Sequence, residues 1–561
     1  MSSRRSLSLR CSFGALSISV LLGCSSAPGS NDAVVASGGG SAQPGAAGNG
    51  AGPSAAGGSS VPDATCNSAT PDIGSNILRR LSSLEYQLTL QDLFQLTTPP
   101  SLEGLPADTE KDGFKVFAAV QTVSAQHLRG YLAKAQELGT ALMADGKRRA
   151  AVLGCEPSAS DCLRSFVSRF GRLAYRRELT AAEVDTLVTR AERDALDSND
   201  RFQFVIEVML TAPDFLYRAE LGATPEGLSK LSPTELAAKL SFAVWGRSPS
   251  AELLDQADRG ALDSEQGIAE VVDRLLADPR AQGFYAGFFR QWLGYDTLRP
   301  PTTPVTGFSD ALLPAMQAET DAVVKEFAWG GLNFLDVLTV NRTSVSKELA
   351  TFYGLPAPAA DGLVTIPSSN VRANTGLLTH ASLLGAKSDG DLIALRGDWL
   401  RETFLCQHMQ VPASVAEQLG ELLVGLTRVQ IVKERNTRGE CKGCHSVIDP
   451  IGVGLSQFDR AGRFDESLDI SEYGIAPALP DAPDPAFESV AELAAKLRAM
   501  PQVSACLTSR AFLYLNGREP AAADRCTTQA AEQNFASQAS NFSALLRGLL
   551  VAPSFQLRRS E

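Results

Sequence analysis

The sequence predicts a mainly α protein, organised as a multidomain helical array. Apolar residues repeat at helical spacing along most of the chain: in residues 179–192, for example, Val184, Leu187, Val188 and Ala191 fall on one helical face. Segments with the alternating pattern of a strand are scarce. About five hundred residues follow position 66, which is more than one hydrophobic core usually serves. We therefore expect several helical domains or layers.

Residues 1–23 predict an export signal. They contain three arginines and then an apolar run that is too short for a stable membrane span. The run ends with Leu-Leu-Gly before Cys24, which resembles the lipobox of a bacterial lipoprotein. The resemblance implies cleavage before Cys24, acylation of that residue and, because Ser25 follows, sorting to the outer membrane. The alternative is an uncleaved anchor with an incidental cysteine.

Residues 24–66 are rich in Gly, Ser, Ala and Pro. Such a segment buries too little apolar surface to offset the entropy of ordering, so it predicts a flexible tether. We expect a cell-envelope protein that is attached to the membrane through its N-terminal acyl chains and faces the periplasm or the cell surface.

The net charge argues against nucleic acid as a partner. The whole chain has a formal charge of −12, and loss of residues 1–23, which carry three arginines and no acid, changes it to −15. A phosphate backbone repels an acidic body.

Capping boxes predict several helix starts. Each combines Ser or Thr with a Glu three residues later, before an apolar-periodic run. The pairs are Ser82 with Glu85, Thr180 with Glu183, Ser232 with Glu235, and Ser489 with Glu492.

Two stretches of the chain repeat the same pattern in the same order. The segment from Cys162, CLRSFVSRFGRLAYRRELTAAE, is similar to that from Cys506, CLTSRAFLYLNGREPAAAD. Likewise, MLTAPDFLYR from Met209 is similar to LLVAPSFQLR from Leu549. Two related helical modules that flank a central region are the simplest explanation, and coincidence between alanine-rich helices is the alternative.

The cysteines of the body predict disulfides. Six remain beyond Cys11, Cys24, Cys441 and Cys444, and an even number in an exported chain is typical of disulfide bonding. Closeness in sequence favours the pairs Cys155–Cys162 and Cys506–Cys526, which leaves Cys66 and Cys406 as a long-range pair. Other connectivities stay open.

The stretch ECKGCHSVIDPIG, residues 440–452, contains a Cys-x-x-Cys-His motif. Its spacing lets Cys441 and Cys444 reach the two vinyl groups of one haem, while His445 offers imidazole to the iron. Covalent haem attachment takes place outside the bacterial cytoplasm, which agrees with the predicted export. We therefore predict one covalent haem c.

Three alternatives use the same residues. A thioredoxin-like redox pair requires a strand before the motif, whereas the sequence there predicts a helix and a turn. A disulfide between Cys441 and Cys444 would be strained. A structural zinc site could instead combine Cys406 and His408 with both of these cysteines.

Neighbouring residues suggest supporting roles for the haem. A predicted turn at residues 449–452, which contains Pro450, would accept the Nδ1 proton of His445 through its carbonyl groups. Arg460 and Arg463 could pair with the haem propionates, or could be solvated surface charges. The sixth iron ligand stays open among four candidates, each with a competing structural role: His380, His408, Met409 and Met500.

Several segments together resemble the planctomycete-type cytochrome c proteins with companion domains of unknown function. They include LRRLSSLEYQLTLQDLF, FGRLAYRRELTAAE, LSPTELAAKLSFAVWGRSP, LRGDWLRETFLC, CKGCHSVIDPIGVGLSQFDRAGRF and YLNGREP. The resemblance covers nearly everything after the tether and implies five consecutive modules, the fourth of them cytochrome c-like. It carries haem attachment to Cys441, Cys444 and His445 only. The chain departs from the family at Ile448, where a methionine is expected, and we interpret Ile448 as a packing residue.

The expected modules follow the tether directly. They are an N-terminal helical module at 67–150, a helical module at 151–225, a central helical module at 226–365, a cytochrome c-like module at 366–480 and a C-terminal helical module at 481–561.

The predicted function is electron transfer in the periplasm or at the cell surface, with a redox partner protein that the sequence does not identify. The large helical remainder also allows an enzyme, a haem-linked oxidoreductase whose substrate and catalytic residues are unknown. The alternative is a disulfide-stabilised surface scaffold or binding protein with the zinc site at Cys406, His408, Cys441 and Cys444.

Overall fold

The structure is a computed structural model that describes residue 66 and residues 73–194, 197–224, 226–385, 392–409 and 425–560. The predicted signal at 1–23, Cys24 and the tether up to residue 65 lie outside these described residues. The described residues belong to one compact unit. None of the described helices is both long enough and apolar enough to cross a membrane.

The expected mainly α fold is confirmed. Strands are short and form two-stranded pairs. The first part of the chain contains β1 Arg79–Arg80, α1 Ser83–Leu93, α2 Ala125–Ala144, α3 Gly146–Leu153, α4 Cys162–Tyr175, α5 Ala181–Asp194, α6 Ser198–Thr211, α7 Pro213–Leu216 and β2 Tyr217–Arg218.

The central part has further helices, one complete strand pair, and one strand whose partner lies near the C-terminus. It contains β3 Gly227–Lys230, α8 Pro233–Trp245, α9 Ala251–Asp258, α10 Glu265–Ala277, α11 Pro279–Leu293, α12 Leu312–Trp329, β4 Arg342–Val345, α13 Lys347–Tyr353 and β5 Val364–Pro367. Strands β4 and β5 pair with each other in antiparallel orientation.

The last part carries the Cys-x-x-Cys-His motif and the C-terminal helices. It contains α14 Ala381–Gly385, α15 Leu392–Leu405, α16 Arg428–Thr437, α17 Gly439–Gly454, α18 Val490–Ala499, α19 Pro501–Asn516, α20 Arg525–Ser537, α21 Phe542–Leu550 and β6 Leu557–Ser560.

An aromatic cluster joins the central helices to the C-terminal ones. The ring of Phe288 on α11 lies 5.2 Å from that of Tyr514 on α19 and 5.9 Å from that of Phe542, which begins α21. Phe289 lies 4.9 Å from Phe542. Burial of these rings gives residues that are distant in sequence one shared core.

The predicted capping boxes determine helix starts. At Ser82 and at Ser232 both hydrogen bonds of the box form, and Thr180 with Glu183 forms them too. Ser489 accepts from the backbone of Glu492 as predicted, but the Glu492 carboxylate accepts from the backbone N–H of Glu488 instead. The local sequence therefore fixes where these helices begin.

The two similar stretches have the same order of elements and end in equivalent strands. Strand β2 pairs antiparallel with β1, so that Arg218 lies opposite Arg79. Strand β6 pairs with β3, so that Arg558 lies opposite Ser229. A leucine follows β1 and another follows β3, and each donates its backbone N–H to the residue that precedes the paired strand. Leu81 donates to the carbonyl oxygen of Leu216 at 2.8 Å, and Leu231 donates to that of Gln556 at 2.9 Å.

A further contact repeats in the turn that follows the first helix of each stretch. Arg177 pairs with Glu183 at 2.8 Å, and Arg518 pairs with Asp524 at 2.6 Å, six residues on in both cases. Each acid also accepts from the backbone N–H three residues before it, which starts the next helix. Strand, helix, Arg-acid turn and final strand thus occur twice, and we call the first set (79–218) and the second set (227–355 with 484–560) the two halves.

The disulfides agree with one predicted pair and contradict the others. Cys155 bonds to Cys162, as expected from their closeness. The predicted pairs Cys506–Cys526 and Cys66–Cys406 are wrong, because Cys66 bonds to Cys526 and Cys406 bonds to Cys506. Cys506 lies on α19 facing the end of α15, 3.4 Å from the carbonyl oxygen of Thr403, whereas Cys526 lies on the following helix. Packing of helices, rather than distance along the chain, selects the partners.

Candidate haem attachment site

The motif lies on a helix that crosses another helix at backbone contact. A Cβ atom on Gly397 of α15 would lie 2.0 Å from the carbonyl oxygen of Ile448 on α17. One on Gly452 of α17 would lie 1.9 Å from the carbonyl oxygen of Ile393. Real Cβ atoms do not approach so closely, so both positions require glycine and hold the two helices at a fixed crossing.

Arg396 forms hydrogen bonds to the segment that follows the motif helix. Its side chain is fully buried, and its guanidinium donates to the carbonyl oxygens of Leu455 at 2.9 Å and of Phe458 and Asp459 at 2.6 Å. These carbonyls belong to the segment that leaves α17, where no intrahelical donor is available to them. Arg396 therefore fixes the chain that follows the motif.

Cys441 and Cys444 lie one turn apart at the start of α17. Within the described part of the chain they are the cysteines that form no disulfide. Cys441 is buried and Cys444 is partly exposed. Both thiols thus remain free for a thioether bond, and the strained disulfide between them does not form. The residues before the motif form α16 rather than a strand, which disfavours a thioredoxin-like site.

His445 is held by a buried carboxylate. Its Nδ1 lies 3.1 Å from Oδ1 of Asp449, one helical turn further along α17. Asp449 is fully buried, and the side chain of His445 is 17% exposed. A histidine that donates its Nδ1 proton to a carboxylate keeps the lone pair on Nε2, which is the arrangement typical of metal-ligating histidines.

The carboxylate of Asp449 is itself neutralised from α16. Arg435 donates through Nε to Oδ2 at 2.6 Å and through Nη2 to Oδ1 at 2.8 Å, and Asn436 donates to Oδ2 at 2.6 Å. Arg435 is only 4% exposed. A buried carboxylate is stable only when it is paired and hydrogen-bonded. Arg435 and Asn436 of α16 therefore stabilise the carboxylate that contacts His445.

The predicted turn at 449–452 is wrong. These residues continue α17, and Pro450 lies inside the helix. The partner of the imidazole is therefore the side chain of Asp449 rather than a carbonyl group of a turn. Sequence reasoning missed this role, although His445 and Asp449 stand four residues apart, the spacing of neighbours on one helical face.

Of the two arginines predicted near the haem, Arg463 has other described contacts. Arg463 donates to the carbonyl oxygen of Thr306 at 2.9 Å and lies 3.5 Å from the carboxylate of Asp459. Arg460 is partly buried. Their pairing with propionates stays a prediction.

The candidates for a sixth ligand occupy different environments. His380 is buried, with Nδ1 2.9 Å from the hydroxyl of Thr320 and Nε2 3.8 Å from the carboxylate of Glu319. Met500 is 5% exposed and packs in the core at the start of α19. His408 is exposed and lies 3.7 Å from Glu402. Met409 is partly buried. Which of the four would ligate iron stays open.

The zinc alternative is contradicted, because its ligand Cys406 bonds to Cys506. The described residues also contain no group of three or more His, Cys, Asp or Glu side chains that could together hold a metal ion. Haem attachment differs from such a site, since it uses two thioether bonds and one protein ligand to the iron.

Five family models match the chain in succession. They are protein of unknown function DUF1587 at 79–144, DUF1595 at 162–220, DUF1592 at 231–355, DUF1588 at 374–467 and DUF1585 at 484–555. These are the domains associated with planctomycete cytochrome c, in the order in which the resemblance expects them. The chain belongs to this family.

The family assignment supports a haem-associated protein in general. The fourth matched domain, labelled PSCyt3, spans α14 to α17 and therefore contains Cys441, Cys444 and His445. In this family member the motif domain lies between the two parts of the second half. No curated protein and no solved structure matches the chain.

Proposed function

We propose that this planctomycete-type cytochrome c family protein is an exported lipoprotein that carries one covalent haem c and transfers single electrons in the cell envelope. The observation that supports this most strongly is the contact between His445 and the buried carboxylate of Asp449. A metal-ligating histidine typically donates its other ring N–H to a carboxylate, which orients the ring and raises its basicity.

The residues present fit the group. Cys441 and Cys444 would hold the porphyrin through thioether bonds, and His445 would offer Nε2 to the iron. When bound, the haem supplies a one-electron couple between ferric and ferrous iron. Arg435 donates to the same carboxylate, so Asp449 stays paired while it holds Nδ1 of His445.

Two expectations from the sequence complete the proposal. Acylation at Cys24 would anchor the protein to the outer membrane, and residues 24–66 would tether the helical body. Attachment of the haem outside the cytoplasm is chemically consistent with that export. The redox partner would approach the partly exposed side of His445.

A visible spectrum of protein produced with the periplasmic haem-attachment machinery tests the cofactor. We expect sharp bands after reduction with dithionite, and a haem stain that stays with the chain on a denaturing gel. The double variant Cys441→Ala/Cys444→Ala should lose both while still being acylated at Cys24. A colourless wild-type protein, or stain retained by the double variant, would refute the proposal.

The reduction potential tests the role of Asp449. In Asp449→Asn the imidazole of His445 no longer faces a carboxylate, so it becomes a weaker ligand to iron and stabilises ferric iron less. We therefore expect a higher reduction potential, with the haem still attached. Asn436→Ala removes one hydrogen bond from the same carboxylate and leaves the imidazole contact in place, so its potential should stay close to that of wild type. Equal potentials in all three proteins would mean that Asp449 acts on the fold alone.

A further inference from the structure

A cavity of about 280 Å³ lies where the two halves meet, outside the motif domain. The first half contributes Arg79 and Arg218 to its wall, and the second contributes Lys239, Arg518 and Arg558. Arg218 and Arg558 occupy equivalent positions on β2 and β6. Five cations thus line one cavity of a chain whose net charge is −12.

Carboxylates compensate only part of this positive charge. Glu85 lies 2.8 Å from Arg79 and 3.3 Å from Arg218, and Glu220 lies 3.2 Å from Lys239. Asp524 binds Arg518. Three carboxylates thus balance the charge of five cations only in part.

Arg558 accounts for much of the positive charge that these three carboxylates do not balance. One Nη atom donates to the carbonyl oxygen of Thr224, and its Nε is buried without a hydrogen-bond partner. The residue is 6% exposed. Within the part of the chain that the structure describes, no carboxylate lies within ion-pair distance of it. A buried cation without an anion is costly unless a ligand supplies one.

The neighbouring cations also respond to this excess. Burial, followed by repulsion from Arg79, lowers the pKa of Arg218 to about 10. Burial likewise lowers the pKa of Lys239 despite its contact with Glu220. An added negative charge would oppose both effects, so the site is electrostatically prepared for an anion.

The rim of the cavity is apolar. Ile77, Leu78 and Leu221 line it, and they are 52%, 58% and 65% exposed. They are among the most exposed large apolar residues in the described part of the chain. Such side chains beside a cationic floor match a ligand that has an anionic head and an apolar body.

We propose that this cavity binds a small organic monocarboxylate. The carboxylate head lies among Arg218, Lys239 and Arg558, and the apolar body lies against Ile77, Leu78 and Leu221. The site is independent of the proposed haem, because none of its residues belongs to the motif domain at 374–467. Its five cations come from both halves, so neither half would form the site alone.

Calorimetric titration of the full-length protein with octanoate tests the proposal, with octanol as the uncharged analogue. We expect octanoate to bind at least tenfold more tightly than octanol, with an affinity that falls as salt is added. Arg558→Gln should weaken octanoate binding at least tenfold. Arg547→Gln is the matched control, since it removes an arginine from an exposed pair with Asp273, and it should bind as wild type does.

A second variant keeps the proposal testable should Arg558→Gln fail to fold. Leu221→Ser changes a residue that is 65% exposed, so the fold should tolerate it, and it should weaken octanoate binding several-fold by removing apolar contact. Cys441→Ala/Cys444→Ala should bind octanoate as wild type does, which separates this proposal from the haem proposal. Equal binding of octanol and octanoate, no binding of octanoate, or an unchanged affinity in Arg558→Gln or in Leu221→Ser would overturn it.

Discussion

The two halves share one framework, but the equivalent glutamates of their capping boxes have different surroundings. In the first half, Glu85 of the capping box is fully buried and lies between Arg79 and Arg218. In the second half, the equivalent Glu235 is partly exposed and, besides its cap contact with Ser232, accepts from the backbone N–H groups of Leu221 and Gly222 at 2.6 and 3.1 Å.

The consequence falls on the equivalent arginines. Arg218 keeps a carboxylate beside it, whereas Arg558 has a carbonyl oxygen and an unpartnered Nε. Two similar frameworks can therefore share strand register and helix caps while they differ in the distribution of charge. The unbalanced copy is the one that leaves a cationic cavity between the halves.

The disulfides of corresponding helices offer the largest contrast. On α4, Cys162 closes a short loop of 7 residues with Cys155, and on α19, Cys506 closes one of 100 residues with Cys406. Loop entropy predicts losses in unfolding free energy of about 2 kcal/mol for Cys155→Ser/Cys162→Ser and about 5 kcal/mol for Cys406→Ser/Cys506→Ser. Denaturant titration of both double variants measures this. Equal losses would mean that strain or residual structure outweighs loop length.

Substitution of the two capping-box glutamates tests the difference between the halves directly. Glu85→Gln leaves two buried guanidinium groups facing each other, so we expect a loss of about 4 kcal/mol in unfolding free energy. Glu235→Gln keeps one acceptor oxygen for the partly exposed cap and should cost about 1 kcal/mol at most. Denaturant titration compares them, with circular dichroism confirming the native fold of each variant. A smaller loss in Glu85→Gln than in Glu235→Gln would contradict the difference described.

The Arg-acid turns give a smaller contrast of the same kind. Asp524 is 1% exposed and Glu183 is 36% exposed. Asp524→Asn should cost about 3 kcal/mol because Arg518 then loses a buried partner. Glu183→Gln should cost about 1 kcal/mol at most, since solvent screens the pair. Thermal unfolding of both variants measures the order, and a reversal would show that exposure does not set the value of this contact.

Acid titration yields the smallest effect. The hydrogen bond from Arg177 lowers the pKa of Glu183 to about 2, and Arg79 and Arg218 outweigh burial and lower that of Glu85. A carboxylate with a depressed pKa stabilises the fold fully above its unfolded pKa of about 4.3 and loses this contribution as pH falls through the folded value. Between pH 4.3 and 2, wild type should therefore lose more stability than Glu183→Gln. Parallel curves would contradict the assigned ion pair.

What the sequence revealed depended on how local each signal was. The caps at Ser82 and Ser232 were predictable because both hydrogen-bonding partners lie within four residues. The haem motif was recognisable because its chemistry requires one fixed spacing. The similarity of 79–86 to 229–236 in the sequence is limited to the shared Leu-Ser-x-x-Glu pattern, whereas the matching strand pairs are apparent only in the structure.

The misses came from contacts that cross between elements. The Cys66–Cys526 and Cys406–Cys506 bonds depend on how α15, α19 and α20 pack, which spacing does not encode. The carboxylate that holds His445 depends on Arg435, which reaches it from another helix. A Pro inside a helix was interpreted as a turn, although tertiary packing retains the helix at Pro450.

The most direct test of the central claim is the mass of the mature protein and of its Cys441–Cys444 peptide after production with the haem-attachment machinery. We predict one haem per chain, retained after denaturation and located on the peptide that contains Cys441, Cys444 and His445. An unmodified peptide from fully processed protein would contradict the assignment of this site to covalent haem.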